Sequence, residues 1–159
     1  MAEECAGKVT TQHRQTVYIP GRGQTPCIAL MMLIACGRLK EERTYAGLGP
    51  WYEARSWLAA NPNPSPLASN RFESPAAALA FVDSLYDLGA DSVYVLNVQQ
   101  DSAWIAREGG PYADAILVAL PRREEIRRPL FERGAREALR EGFSAEVDEG
   151  QRYLYLWWD

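Results

Sequence analysis

Two segments in the second half of the chain repeat apolar residues at the spacing of an amphipathic helix. In residues 73–90 an N-cap serine and a proline at the first helical position precede the repeat, and Gly89 suits the position after the last turn. Residues 122–143 repeat the pattern around Pro129, which we expect to kink or restart the helix. The periodicity therefore predicts two helices, each with one face towards a core.

Three further segments are rich in valine, leucine and aromatic residues and predict strands, at residues 91–99, 113–121 and 151–159. A weaker strand at Leu67–Phe72 would complete the order β-α-β-β-α-β. We therefore predict the α+β class, as a ferredoxin-like two-layer sandwich whose helices cover one face of an antiparallel sheet.

Both faces of the three clear strands are largely apolar. A two-layer sandwich normally leaves one face polar and wet, and exposing several aromatic side chains is costly at about 25 cal/mol per Å². We expect this second face to be covered, by a second copy of the protein or by the Trp51–Leu58 segment folding back. An exposed ligand-binding platform is the alternative.

The composition is that of one folded domain with an acidic surface. The chain has 159 residues, is 47% apolar and carries a formal charge of −4, which argues against wholesale disorder and against nucleic acid as a partner. The proline-rich residues 61–66 read as a boundary. We divide the chain into a signal segment (1–35), a tether with a short helix (36–66) and an α+β domain (67–159).

Cysteine and histidine are confined to the beginning of the chain. Cys5, Cys27, Cys36 and His13 all lie within the first 36 residues. Residues 37–159 therefore hold no thiol or imidazole for nucleophilic catalysis, and no Cys/His zinc site. We expect no catalytic residues, no metal and no cofactor, so an enzyme is the less favoured class.

The longest polar connection lies between the predicted strands at residues 91–99 and 113–121. Residues 99–114 read QQDSAWIAREGGPYAD and combine charged, aromatic and glycine residues, as functional loops often do. The alternative is an ordinary long hairpin connection with Trp104 as a lid on the core. The residues of this candidate binding loop are Asp101, Trp104, Arg107, Tyr112 and Asp114.

The helix predicted at 122–143 is rich in both arginine and glutamate. The spacings Glu132–Arg136 and Glu137–Arg140 suit ion pairs on an exposed face. These charges therefore indicate a solvated helix surface rather than a phosphate-binding or RNA-binding one.

An apolar, uncharged run extends from Cys27 to Cys36 and ends in Leu-Ile-Ala-Cys. Its length is that of a signal-peptide h-region, and it is too short to span a membrane. The last four residues resemble the lipobox of bacterial lipoproteins. The resemblance implies that Cys36 is lipidated and that Leu33, Ile34 and Ala35 are the signal-peptidase recognition positions.

The residues before this run depart from the lipoprotein pattern. The n-region is long and contains Glu3 and Glu4, whereas a usual n-region is short and basic. Arginine greatly outnumbers lysine, as in GC-rich genomes. We therefore expect translation to begin later than residue 1, at Val17 read from a GTG codon, or at Val9.

These observations favour a lipid-anchored protein of the cell envelope that acts through protein contacts, as a homodimer or with another protein. Its membrane contact would be the lipid on Cys36. The alternative is a cytoplasmic ferredoxin-like regulatory or small-ligand-binding domain, in which residues 28–36 would belong to the core.

Overall fold

The computed structural model describes residues 44–99 and 101–158. The expectations for Leu33, Ile34, Ala35 and Cys36 lie outside the described residues. The helices are α1 (Ala54–Ala60), α2 (Pro75–Asp87), α3 (Ser102–Glu108) and α4 (Glu124–Arg140). The strands are β1 (Tyr52–Glu53), β2 (Ser92–Leu96), β3 (Ala115–Ala119) and β4 (Tyr153–Trp157).

The four strands form one antiparallel sheet in which each strand pairs with the next one in the chain. In the centre of the sheet Tyr94 lies opposite Leu117, and Leu117 lies opposite Tyr155. The predicted α+β class and antiparallel sheet are confirmed. Helices α2 and α4 and strands β2, β3 and β4 all lie within the predicted segments, and Pro129 does not end α4.

The ferredoxin-like arrangement is not confirmed, because the segment Leu67–Phe72 is not one of the strands of the described sheet. Leu67 makes a single isolated parallel bridge to Ala113. Ala68 then adopts a positive φ of 40°, and its carbonyl accepts hydrogen bonds of 2.8 Å from the N–H groups of Arg71 and Phe72. This turn ends the extended conformation, and the first strand of the sheet is β1, earlier in the chain.

The main core lies between one face of the sheet and the helices α1, α2 and α4. From the sheet it takes alternate residues, which are Val93 and Val95 on β2, Ile116 and Val118 on β3, and Leu154 and Leu156 on β4. Gly134 lets α4 approach this face, because a Cβ there would lie 3.0 Å from a methyl group of Leu154. The aliphatic strand residues and the helices thus make one two-layer core.

The end of α2 follows the predicted glycine signal. Gly89 has a φ of 98° and donates its N–H to the carbonyl of Tyr86, while the N–H of Ala90 donates to the carbonyl of Leu85. These two bonds form a Schellman motif, which satisfies carbonyls that the helix leaves open. A Cβ at Gly89 would also meet Ile126 of α4, so this position requires glycine for two reasons.

The second face of the sheet is partly covered by the segment before β1. Tyr45 stacks on Tyr155 with 5.7 Å between ring centroids, and Trp51 packs edge-on against Tyr153 at 5.4 Å. The cover expected from Trp51–Leu58 is therefore made by Trp51 and the residues before it, since Leu58 lies in the main core. The buried residues of this second cluster are Leu96, Ala115, Leu117 and Tyr153.

The folded unit begins earlier than the predicted boundary at residue 67. Strand β1 pairs with β2, and Ala54 and Leu58 of α1 are buried in the main core. The proline-rich segment is also fixed, because the buried Asn63 donates its side-chain amide to the carbonyl of Gly110 at 3.1 Å. Residues 51–66, which include the short helix α1, therefore pack with the α+β domain.

Candidate functional site

The candidate binding loop contains a short helix that the sequence analysis treated as irregular. Asp101 is the N-cap of α3 and accepts a hydrogen bond of 2.7 Å from the N–H of Trp104. Gly109 ends the helix in the left-handed conformation, with a φ of 80°. The carboxylate of Asp101 therefore has a structural role in starting α3.

Three side chains of the loop lie against one another. The guanidinium of Arg107 lies 4.6 Å from the ring centroid of Trp104, and the rings of Trp104 and Tyr112 are 6.4 Å apart. Arg107 also pairs with the carboxylate of Glu108 at 2.8 Å, on the exposed surface. The indole N–H of Trp104 is buried and has no hydrogen-bond partner among the described residues.

The remaining polar groups of the loop hold neighbouring segments. The hydroxyl of Tyr112 accepts a bond of 3.3 Å from the N–H of Ser69, and Asp114 accepts one of 3.0 Å from the side-chain amide of Asn97. Burial, together with the charge of Asp114, raises the pKa of Tyr155. The structure thus brings together Trp104, Arg107 and Tyr112, and it engages both aspartates in local hydrogen bonds.

A buried carboxylate lies elsewhere, on the core side of α4. Glu137 is 5% exposed and accepts two hydrogen bonds from Arg71, of 2.7 Å from Nε and 3.2 Å from Nη2. The indole N–H of Trp158 donates to the same carboxylate at 3.4 Å, and Arg133 lies 3.7 Å away. The exposed pair expected between Glu137 and Arg140 is not what the geometry shows, since this carboxylate faces inwards.

The pKa of Glu137 is lowered and that of Arg71 is raised, so both side chains stay charged. Burial raises the pKa of Glu137, but the hydrogen bond from Arg71 and the surrounding positive charge outweigh it and the pKa is lowered. The same hydrogen bond raises the pKa of Arg71. The cluster is therefore a charged ion pair that attaches the segment containing Arg71 to helix α4. It is not an acid or base available to a substrate.

A second ion pair, between the buried Arg127 and the partly exposed Asp148, fixes the connection between α4 and β4. Arg127 is 7% exposed and binds the two carboxylate oxygens of Asp148 at 2.8 and 2.5 Å. It also donates to the carbonyls of Pro121 at 3.2 Å and Gln151 at 2.9 Å. Arg127 thus joins the chain before α4 to the connection before β4, and its hydrogen bond lowers the pKa of Asp148.

This second pair gives a testable pH dependence. The pKa of Asp148 is lower in the folded than in the unfolded protein. The stabilisation that its charged carboxylate provides is therefore fully present above the pKa of the unfolded chain, about 3.9, and is lost as the pH falls through the pKa of the folded protein. We expect Asp148→Asn to be less stable than the parent at pH 7, with the difference shrinking below about pH 4. Urea unfolding across this range measures it. An unchanged difference would contradict the assignment, and Glu149→Gln, next to it and exposed, should leave stability nearly unchanged at either pH.

The end of α4 and the connection to β4 expose large apolar side chains. Leu139 is 67%, Phe143 42% and Val147 73% exposed, and we call these three residues the apolar connection. The ring of Phe143 packs on Trp157 of β4 with 5.3 Å between centroids. The three residues fall within nine positions of the chain, and we treat them as a candidate contact surface.

Residues 44–99 and 101–158 contain no group of three or more histidine, cysteine or acidic side chains able to hold a metal ion. Their helices are also too short and too polar to cross a bilayer. Comparisons with protein-family models, with curated proteins and with solved structures found no match.

Proposed function

We propose that the protein is a lipid-anchored component of the cell envelope that acts as a non-catalytic protein-interaction module. Cys36 is the lipidated residue, and Leu33, Ile34 and Ala35 are the positions that the signal peptidase recognises. The support for the anchor is the lipobox-like segment at the end of an apolar run of h-region length. The observation that carries the interaction role is the exposed apolar connection between α4 and β4.

A cut before Cys36 would leave only a short connection between the lipid and the described domain. Seven residues separate Cys36 from Thr44, where the described chain begins, and seven residues span at most about 25 Å. The domain would thus sit close to the bilayer.

The cytoplasmic alternative is less well supported. A regulatory or ligand-binding ferredoxin-like domain would use residues 28–36 as core, whereas their apolar, uncharged composition and their Leu-Ile-Ala-Cys ending favour a signal segment. The side chains of the candidate binding loop are also engaged with one another or with neighbouring segments. This leaves the apolar connection as the better candidate for contact with a partner.

A site-specific photo-crosslinker tests the interaction role in living cells. Benzoylphenylalanine in place of Phe143 keeps an aromatic ring on Trp157, and we expect it to give one discrete protein adduct. The control places it at Glu125, an exposed position in the first turn of α4, the helix that precedes Phe143. At least about fivefold more adduct at 143 than at 125 is expected, because apolar surface promotes association. Equal yields, or no adduct, would rule this surface out.

A further inference from the structure

Arginine side chains come together where the second half of α4 lies beside the turn that precedes α2. Arg133, Arg136 and Arg140 are three and four positions apart on α4, so they lie on one face of the helix. Glu137 lies on the same face and accepts two hydrogen bonds from Arg71, which brings a fourth guanidinium to this place. We call Arg71, Arg133, Arg136 and Arg140 the arginine patch.

The two outer arginines of the patch lack the ion pairs that their spacing from glutamates predicts. Glu132, four positions before Arg136, pairs instead with Arg128 at 3.9 Å, and the carboxylate of Glu137 faces inwards. Arg136 and Arg140 are exposed, and neither forms an ion pair within the part of the chain that the structure describes. Both charges are therefore open to a ligand.

The two inner arginines are held in place by aromatic rings. The Cζ atom of Arg71 lies 4.7 Å from the ring centroid of Phe72, and that of Arg133 lies 4.7 Å from the centroid of Phe81. A cation–π contact of this kind positions a guanidinium without neutralising its charge. The patch thus has two positive groups at fixed places before a ligand arrives, which reduces the cost of ordering them on binding.

The positive charge of Arg133 is incompletely compensated by the chain. Its side chain is 26% exposed, and its Nε–H is buried with no hydrogen-bond partner among the described residues. Burial lowers the pKa of Arg133, and the other arginines of the patch lower it further, against the opposing charge of Glu137. The guanidinium groups of the patch therefore repel one another, and an external anion would relieve this repulsion.

The patch has more positive than negative charge. The carboxylates whose charges act on Arg71 are those of Glu137 and Glu141, so four guanidinium groups face two carboxylates. This excess occurs in a chain whose formal charge is −4, so it is a local feature. A phosphate monoester carries a charge of about −1.5 to −2 near pH 7 and three acceptor oxygens, which matches the excess.

We propose that the arginine patch binds the phosphate monoester group of a ligand. The planar fork of arginine can donate two hydrogen bonds to phosphate oxygens, and Arg136 and Arg140 are the exposed members that would contact them. The expectation of a merely solvated helix face rested on two glutamate–arginine pairs that the structure does not form. The proposed site does not use the lipid on Cys36, so it and the proposed function can fail separately.

A titration with inorganic phosphate at constant ionic strength tests the site on the full chain carrying Cys36→Ala. The arginine Nε–Hε signals in NMR spectra should shift and saturate. Combining Arg136→Gln with Arg140→Gln should weaken binding at least about tenfold, because each change removes a charge-assisted hydrogen bond. The control combines Arg122→Gln with Arg123→Gln, which removes the same charge from exposed positions just before α4 and should keep the parental affinity.

Two results of this titration would overturn the proposal. Equal weakening in both double variants would show an effect of overall charge, and equal shifts with chloride would show salt screening.

Vesicles distinguish a lipid headgroup from a soluble phosphate compound. The Cys36→Ala chain is mixed with vesicles of phosphatidylcholine, alone or in an equimolar mixture with phosphatidic acid, whose headgroup is a phosphate monoester. Binding that requires phosphatidic acid, is displaced by inorganic phosphate and is lost in the Arg136→Gln, Arg140→Gln variant assigns the site to a lipid headgroup. Binding of inorganic phosphate but not of these vesicles assigns it to a soluble compound, and binding of neither would overturn the proposal.

Discussion

Replacing Cys36 with alanine is expected to release the protein from membranes and to abolish incorporation of labelled palmitate. Without the thiol there is no site for the diacylglyceryl group, and acyl chains contribute about 0.8 kcal/mol for each buried CH₂ group. No helix in the described residues offers another way across the bilayer. Fractionation with a carbonate wash should show at least about a tenfold smaller membrane-bound share.

The matched control for this variant is Cys27→Ala. Cys27 opens the same apolar run but lies nine residues before the lipobox-like cysteine. Its replacement should leave both palmitate incorporation and membrane association at parental levels. If the Cys36→Ala variant were as strongly associated with membranes as the parental protein, the proposed lipid anchor would be wrong.

Replacing Glu137 with alanine is expected to be the most damaging single change within the described domain. The side chain is 6% exposed, and its removal leaves Arg71 without its bidentate partner and the indole N–H of Trp158 without an acceptor. Breaking a buried ion pair by deleting one partner destabilises a protein by about 3–5 kcal/mol. Urea unfolding at pH 7, where this carboxylate is charged, measures the loss.

Glu132→Ala provides the comparison on the same helix. Glu132 pairs with Arg128 at 3.9 Å, but both side chains are more than 60% exposed. Exposed pairs of this kind contribute about 1 kcal/mol or less, so the variant should unfold at nearly the parental urea concentration. If both variants lost the same stability, the ion pair between Arg71 and Glu137 would not be what attaches the segment before α2 to helix α4.

The sequence predicted those elements whose signals are local. Ser74 accepts the N–H of Ala77 at 3.2 Å, as an N-cap should, and Pro75 begins α2. Gly89 adopts a φ of 98° after the last turn of α2, as its place in the sequence predicted. These choices depend on a few neighbouring residues, so they do not require knowledge of the tertiary structure.

The elements that the sequence did not reveal depend on contacts far along the chain. Strand β1 has two residues, too few for alternation, and it exists because β2 lies beside it. The inward orientation of Glu137 required Arg71, which is 66 positions away. Helix α3 is different, since Asp101 and Gly109 are ordinary start and stop signals that the sequence analysis could have used.

The candidate site also has features that the sequence revealed and features that it did not. The loop residues were chosen for their chemistry, and the structure gives Trp104, Arg107 and Tyr112 one another as partners. The exposure of Phe143 and Val147 could not be read from the sequence, because apolar residues beyond a helix end are equally compatible with burial. The pair between Arg127 and Asp148, which holds this connection against the start of α4, joins residues 21 positions apart.

The intact mass of the native protein tests the central claim most directly, because it reports the start site, the cleavage and the lipid together. The account predicts one chain that begins at Cys36 and carries the mass of a diacylglyceryl group, with or without a further acyl chain on its amino terminus. An unmodified chain that retains residues 1–35, recovered from the soluble fraction, would contradict it.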